Sequence, residues 1–477
     1  MRRLCGVETE YGLWIDGRGP ESQQDDSKTF VENCPNPSYL GWDNFVEAPR
    51  ADLRGFEAKR LSVDPRDQQY EYRTETRTYA QLRADRILTN GARFYNDHGH
   101  PEYCTPECFS AIDAALEDLH GESVLLDTLR ASGMPAKIYK NNTDFHGASY
   151  GTHESFLVKR RVGFDALFNA VVPVLIARQI LCGAGKVGSE AGPKCNFQLS
   201  QRADFLTEVA SVDTLYRRPI FNTRDEPHAD PNKWTRLHVI CGDANRNPIA
   251  TMRKLLLVQC ELKLLEIDKA PKFPISNPVK AFEQISKNES HEFVFEGHRC
   301  SDVLRSVALA SLEHLDLDGR ESSALRGVLG ALDRFEVEGW SGLIGEADWA
   351  AKKYLIEHYF EPSGDQAQDL LSQQSLDLAY SNIDPEESLF TAMQEMNLIA
   401  LFEWEKNQSF PTRAYARGLA VEKFRDQMTS ASWGRITFAT SSGEQSIDLE
   451  PELEYPAHLS DAKSVEEFIE SLRNMQQ

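Results

Sequence analysis

Near its start the chain places two carboxylates two positions apart, in Gly6-Val7-Glu8-Thr9-Glu10-Tyr11-Gly12. Leu4, Cys5 and Val7 are apolar or soft, so the stretch reads as a short buried strand ending at Gly12. Side chains alternate across a strand, which puts Glu8 and Glu10 on one face. Two like charges on one face of a buried strand repel unless something positive lies between them. A hard cation such as Mg²⁺, which takes oxygen ligands, meets that requirement. The segment alone leaves open an edge strand with two solvated glutamates.

Other segments narrow the choice. After the turn signal Asn90-Gly91, residues Arg93, Tyr95 and Asp97 alternate and share a face. His98-Gly99-His100-Pro101-Glu102-Tyr103 follows, where Pro101 is expected to stop the strand and fix where Glu102 projects. A cation-linked cluster of Glu102 with Glu8 and Glu10 would explain so many acids beside aromatics. Residues 140–154 form a donor-rich, small-residue loop between two strands, a backbone that a ligand can approach closely. His153 and Glu154 point to opposite sides, so only one faces a given site. Residues 222–230 hold seven polar or ionisable side chains in nine positions, and Arg224 among them suits bidentate binding of phosphate or carboxylate. In the strand expected at 237–241, His238 faces away from Leu237 and Val239 and alternates with Arg236; a satisfied core histidine is the plain alternative. Gly183-Ala184-Gly185-Lys186-Val187-Gly188 imitates a phosphate-binding loop but fails it. Ile180 stands where the first glycine belongs, and Val187 where a hydroxyl should meet the metal. Cys104 and Cys108 offer half a zinc site with no matching second pair.

Length and charge bound the rest. The 477 residues suit two or three domains. With 74 acidic against 52 basic residues, the formal charge of −22 argues against broad binding of nucleic acid or anionic membrane. The most apolar stretch, residues 166–182, holds Asn169, Pro173, Arg178 and Gln179, which fits a buried helix and not a membrane span. No secretory signal pattern opens the chain, and nine scattered cysteines fit reduced thiols, so a cytoplasmic protein is expected. Residues 15–40 read as a polar loop or insertion. Helices are expected at 108–131, 164–182 and 252–266 and through most of 300–380; short strands are expected at 137–140 and 155–159. A small tail domain with a strand at 435–439 and a last helix at 464–475 completes an α+β pattern.

Taken in order, residues 6–12, 90–108 (NGARFYNDHGHPEYCTPEC), 140–154, 182–187, 198–202, 222–230, 236–245 and 376–380 resemble one family. It comprises the Pup ligases and depupylases, which attach prokaryotic ubiquitin-like protein to lysines or remove it. The resemblance implies a glutamine-synthetase-like fold: a curved antiparallel β-sheet backed by helices in residues 1–400, with an insertion at 15–80, and a small C-terminal α/β domain at 401–477. It implies that Glu8, Glu10, Tyr95, Glu102 and His238 hold Mg²⁺ and the phosphates of ATP, or of ADP plus phosphate. Asp97 matches the family's catalytic aspartate, while Arg224 and Arg236 are implied as nucleotide contacts and Trp433 as the cover of the base. The implied partners are a Pup-like modifier and its lysine-linked targets, with a functional link to a bacterial proteasome.

About 75 residues separate Gly12 from Leu88. Within them Trp42-Asp43, Val46-Glu47 and Asp52-Leu53-Arg54-Gly55-Phe56 resemble the depupylase and deamidase branch, as do residues 412–418 and 431–433 of the tail. Residues 15–40 match little in the family, and Asn96 replaces its usual aliphatic residue before the catalytic aspartate. The expected activity is hydrolysis of the isopeptide bond between the modifier's C-terminal Glu side chain and a lysine, with deamidation of a C-terminal Gln. The alternative is a ligase that phosphorylates that Glu and joins it to lysine. A small-molecule carboxylate–amine ligase on the same fold and a catalytically silent scaffold are further classes; the intact Glu8, Glu10, Asp97 and Glu102 count against the scaffold.

Overall fold

A computed structural model of the protein describes residues 3–44, 47–62, 79–393 and 411–476. At its centre lies a sheet of nine strands. They are β1 Cys5–Glu10, β2 Ser38–Tyr39, β3 Arg86–Leu88, β4 Arg93–Asp97, β5 His100–Cys104, β6 Thr152–Lys159, β7 Leu206–Ser211, β8 Arg218–Asn222 and β9 Trp234–Val239. Their order across the sheet is β7-β8-β9-β6-β1-β5-β4-β3-β2. Neighbours run antiparallel except β7 and β8, which are parallel, so the expected antiparallel sheet is a mixed one. The six residues between those two strands do not form a tight hairpin; they swing back and start the second strand in the same direction.

Strict alternation gives the sheet two unlike faces. Cys5, Val7, Phe156, Leu237 and Val239 point into one apolar core. That core is shared with helices Ala111–Ser132, Phe164–Ala177 and Pro248–Glu266. The last of these is buried almost all round, including Arg253, Lys254 and Gln259, as expected of a helix inside a large core. It starts cleanly because Asn247 accepts from the Ile249 N–H and Pro248 occupies the first turn. The other face of the sheet carries Glu8, Glu10, Tyr95, Asp97, Glu102 and His238. Register makes neighbours of several: Glu8 stands opposite His153, Glu10 and Tyr95 both opposite Glu102, and Ser155 opposite His238.

Two local expectations change. Residues 15–40 contain a helix, Gln23–Glu32, which buries only Ser27, Phe30 and Val31; Phe30 meets Phe94 edge-on at 6.4 Å. Three buried side chains at one helical spacing leave the surrounding polar run looking like a loop. Pro101 does not stop β4. The turn His98-Gly99 does, with φ of +46° and +90°, and Pro101 sits inside β5 opposite Asn96.

The tail packs as its own layer: a three-stranded antiparallel sheet of Met428–Ala431, Arg435–Thr440 and Gly443–Asp448, with helices Arg413–Phe424 and Val465–Met475. Ser464, where the last helix was expected to begin, is its N-cap. Trp42 and Ile87 from the main body share this second core. The boundary expected at 400/401, residues 63–78 of the insertion and Val46 lie outside the described residues.

Backbone meets backbone where the tail docks. Gly91 has φ +83°, and a Cβ added there would lie 2.2 Å from the Ala414 carbonyl oxygen. Gly91→Ala is therefore expected to cost about 2 kcal/mol or more and to lower the unfolding temperature. An unchanged melting curve would refute this docking.

Candidate active site

The charged face of the sheet forms the floor of a cavity of about 1190 Å³. Two groups of potential metal ligands lie on it. In Glu8, His153 and His238, and again in Glu10, Asp97 and Glu102, one ligand atom from each residue lies within 4.8 Å of the others. In the first group His153 Nδ1 and His238 Nε2 approach Glu8 Oε2 at 3.5 and 3.6 Å. In the second, the Gly151 N–H donates to Glu10 Oε2 at 2.7 Å, and Cys104 Sγ donates to Glu102 Oε1 at 3.2 Å.

Cations hold these acids in place. Arg236 reaches Glu8 at 3.4 Å and Glu226 at 3.3 Å. Arg93 grips Asp85 at 2.6 Å and stacks at 4.1 Å on both Trp42 and Tyr95. Arg83 lies 4.4 Å over Tyr95 and 3.4 Å from Asp97. Burial alone would raise the Glu8 carboxyl, but His153, His238 and Arg236 bring it well below its ordinary value. Asp97 is likewise held down despite burial, by the charges of His98, Arg83, Arg93 and His153. Glu102 goes the other way. Burial, then the charges of Asp97, Glu10 and Glu8, push it well above the carboxylate range. Burial and the Arg236 charge take His238 down to about 3, which leaves a neutral imidazole able to ligate. Burial and the nearby acids raise the Tyr95 phenol, which stays protonated.

A divalent cation fits this donor set. Both nitrogens of His238 are buried without a hydrogen-bond partner, and their separation from Glu8 suits ligands around a shared ion better than direct hydrogen bonds. The second group is all oxygen, as Mg²⁺ prefers. For a nucleotide, the Arg224 Nε and Arg236 Nε atoms are buried and unpartnered. A recess of about 60 Å³ beside Glu8 has Leu4, Leu157 and Trp433 among its apolar walls and His228, Arg236 and Arg413 among its polar ones.

All nine residues singled out from the sequence line the cavity: Glu8, Glu10, Tyr95, Asp97, Glu102, Arg224, Arg236, His238 and Trp433. Their settings differ from expectation in three ways. Asp97 sits with Glu10 and Glu102 as a potential ligand. Tyr95 is wedged between guanidinium groups. Arg236 is already paired with two carboxylates, while Arg224 touches the Val212 carbonyl and Thr214 Oγ1 at 3.4 Å. His153 was left undecided against Glu154; Glu154 is spent on a bidentate pair with Arg178 at 2.6 and 2.7 Å on the core side. Pairing β6 against Glu8 in register finds the histidine. Arg93 was legible in the alternation with Tyr95 and Asp97, whereas Arg83 had no local signal. The loop that imitates a phosphate site is structural, with Lys186 fully buried against Asp204 at 2.7 Å.

Comparison with known proteins shows the family of the chain. The family model for Pup-ligase protein matches residues 3–437. This chain belongs to the Pup-ligase family. A depupylase from Acidothermus cellulolyticus is 34% identical, covering 95% of the chain and 94% of the relative. A Pup deamidase/depupylase from Mycolicibacterium smegmatis is 32% identical over 99% of the chain and its own full length. A Pup–protein ligase from Rhodococcus opacus is 37% identical over 66% of the chain and 73% of the relative. Among solved structures, the Pup ligase PafA in complex with Pup superposes with a TM-score of 0.72 at 25% identity, covering 99% of the chain and 93% of that protein. PafA in complex with ADP gives 0.67 at 26% identity, covering 88% and 96%.

The raised Glu102 carboxyl makes a prediction for this member of the Pup-ligase family. A divalent ion binds the ionised carboxylate, so Mg²⁺ titration should release protons, read by calorimetry in buffers of different ionisation enthalpy. Glu102→Gln should abolish that release. Buffer-independent heats in the unaltered protein would remove Glu102 from the metal site.

Proposed function

We propose that the chain is a Mg²⁺- and nucleotide-dependent depupylase that hydrolyses the isopeptide bond between a Pup-like modifier's C-terminal Glu side chain and a target lysine, and that deamidates a C-terminal Gln. The observation that carries this direction is length: four relatives named as depupylase or Pup deamidase/depupylase match 92% to 99% of the chain, whereas four named as Pup–protein ligases match 66% to 70% of it. Ligation is the second reading, because a solved Pup ligase superposes over 99% of the chain.

In the proposed site, Glu8, His153 and His238, together with Glu10 and Glu102, hold the metal. Arg224 and Arg236 face the phosphates, and Trp433 closes over the base. Mg²⁺, when bound, neutralises phosphate oxygens and stabilises charge that develops beside them. Asp97, kept ionised by the cations around it, attacks the isopeptide carbonyl or takes a proton from the attacking water. If water attacks, Asp97 takes its proton and passes it to the departing lysine amine as the carbonyl–nitrogen bond breaks, leaving the modifier's carboxylate. If Asp97 attacks, the amine takes its proton from solvent as that bond breaks, and water then hydrolyses the resulting anhydride to return Asp97 and the modifier's carboxylate. Neutral His238 binds without bringing a competing positive charge. Fixed donors such as the Gly151 N–H keep the carboxylates from reorganising during the step.

The test uses a preformed modifier–target conjugate with Mg²⁺ and nucleotide, followed by gel and mass spectrometry. Release of free modifier without matching ADP production is expected. Asp97→Asn should lower turnover by about a thousandfold or more while nucleotide affinity stays within about twofold. Conjugate formation with one ADP per bond would replace this reading with ligation.

A further inference from the structure

Asn96 takes no part in the chemistry above, yet it is 1% exposed. Strand alternation turns it away from Tyr95 and Asp97, and its Nδ2 donates to the Leu82 carbonyl at 2.9 Å. Leu82 lies in the helical turn Tyr79–Arg83, which closes the long segment between β2 and β3. The bond therefore pins that turn to the strand that carries Asp97. The next residue, Arg83, is 7% exposed, with its guanidinium 4.4 Å over the Tyr95 ring. Among the described residues, its guanidinium has three carboxylates within reach: Asp97 at 3.4 Å, and Glu47 and Asp85 at 3.8 Å each. Asp85 is held more closely by Arg93, at 2.6 Å. Asp97 is thus the nearest of the three.

We infer that Arg83 is a positioning residue of the reaction: clasped through Leu82 by Asn96 and seated on Tyr95, it fixes the orientation of the Asp97 carboxylate toward the scissile carbonyl. The inference rests on the role proposed for Asp97. Asp97 ends its strand at a two-residue turn, so the hairpin holds its backbone while the direction of its carboxylate depends on the groups around it. A guanidinium seated over Tyr95 restricts that direction. It contacts Asp97 Oδ1, which leaves the second oxygen for the chemistry. Its charge is divided among three acids, so it orients Asp97 without claiming it as a tight ion pair. Misplacing a reacting group by about 1 Å costs on the order of a hundredfold, which sets the scale of the effect.

The experiment is steady-state hydrolysis of the conjugate by the full-length protein with Mg²⁺ and nucleotide. Arg83→Ala should lower kcat by about 10- to 100-fold, with KM for the conjugate and nucleotide Kd within about twofold. Added guanidinium ion should restore part of the lost kcat, which a purely structural defect would not allow. Asn96→Leu should lower kcat less, and the double variant should be no slower than Arg83→Ala alone. Wild-type kcat in Arg83→Ala, a loss confined to KM or nucleotide affinity, or losses that multiply in the double variant would overturn the inference. If Arg83→Ala does not fold, Arg83→Lys and Asn96→Leu take its place: a kcat loss with intact KM supports the inference, and unchanged kcat in both overturns it. An inactive Asp97→Asn beside a fully active Arg83→Ala overturns this inference alone; an active Asp97→Asn overturns the Asp97 assignment and this inference with it.

Discussion

Mutual repulsion among carboxylates on one face of the central strands sets the terms for everything around them. Glu10, Asp97 and Glu102 bring oxygens within 4.8 Å of one another. At an effective dielectric of about 20, each fully ionised pair at that distance costs about 3.5 kcal/mol, and three pairs cost about 10. A domain's whole stability is about 5–15 kcal/mol, so the trio cannot stay fully charged without compensation. The protein compensates in three ways: Glu102 shifts toward its neutral form, buried arginines and histidines face the acids, and the arrangement suits a divalent ion. Burying so many unlike groups together contributes little to stability by itself. The core on the opposite face, built on Val7, Phe156 and Leu237, supplies the stability that lets this face be organised for chemistry.

The tail is held by the same kind of interaction. Glu107, just beyond β5, accepts from Arg413 Nε at 2.7 Å and also pairs with Arg417. Arg417 is fully buried; it donates to the Gly91 carbonyl at 2.7 Å and to the Trp433 carbonyl at 2.9 Å, and stacks 4.8 Å over the Trp433 ring. One arginine thus links the hairpin before β4, the end of β5 and the indole over the recess beside Glu8. Trp433 also meets Trp42 edge-on at 5.0 Å. The wall of the cavity is therefore assembled from the start, the middle and the end of the chain.

The floor of the site was legible because strands encode faces locally. Alternation alone pairs Glu8 with Glu10 and aligns Arg93, Tyr95 and Asp97; the Asn90-Gly91 signal correctly located the turn before β4. What escaped depends on contacts that sequence spacing does not carry. His153 and Glu154 look equivalent until β6 is laid in register against Glu8. The helix Gln23–Glu32 buries only Ser27, Phe30 and Val31, with Phe30 against Phe94, and its polar remainder disguised it as a loop. Arg236 was implied as a nucleotide contact by resemblance alone, and its pairing with Glu8 and Glu226 has no signal in the spacing because those partners come from other elements. Lys186 shows the converse: a loop with tempting composition is fixed by a buried ion pair and faces the core.

Relatives named as depupylase and as Pup–protein ligase both match this chain, so membership of the family does not by itself set the direction of the reaction. Both reactions need a carboxylate poised at the modifier's terminal side chain and a place for nucleotide and metal. They differ in which species reaches the carbonyl and in how the acidic group beside it is held. In this chain the long segment between β1 and β3 delivers Trp42, Glu47, Arg83 and Asp85 to one network around Tyr95 and Asp97. That segment also supplies β2, which pairs with β3 at the edge of the sheet. The groups that face Asp97 thus come from outside the strand that carries it, so the setting of this carboxylate depends on the segment as much as on the sheet.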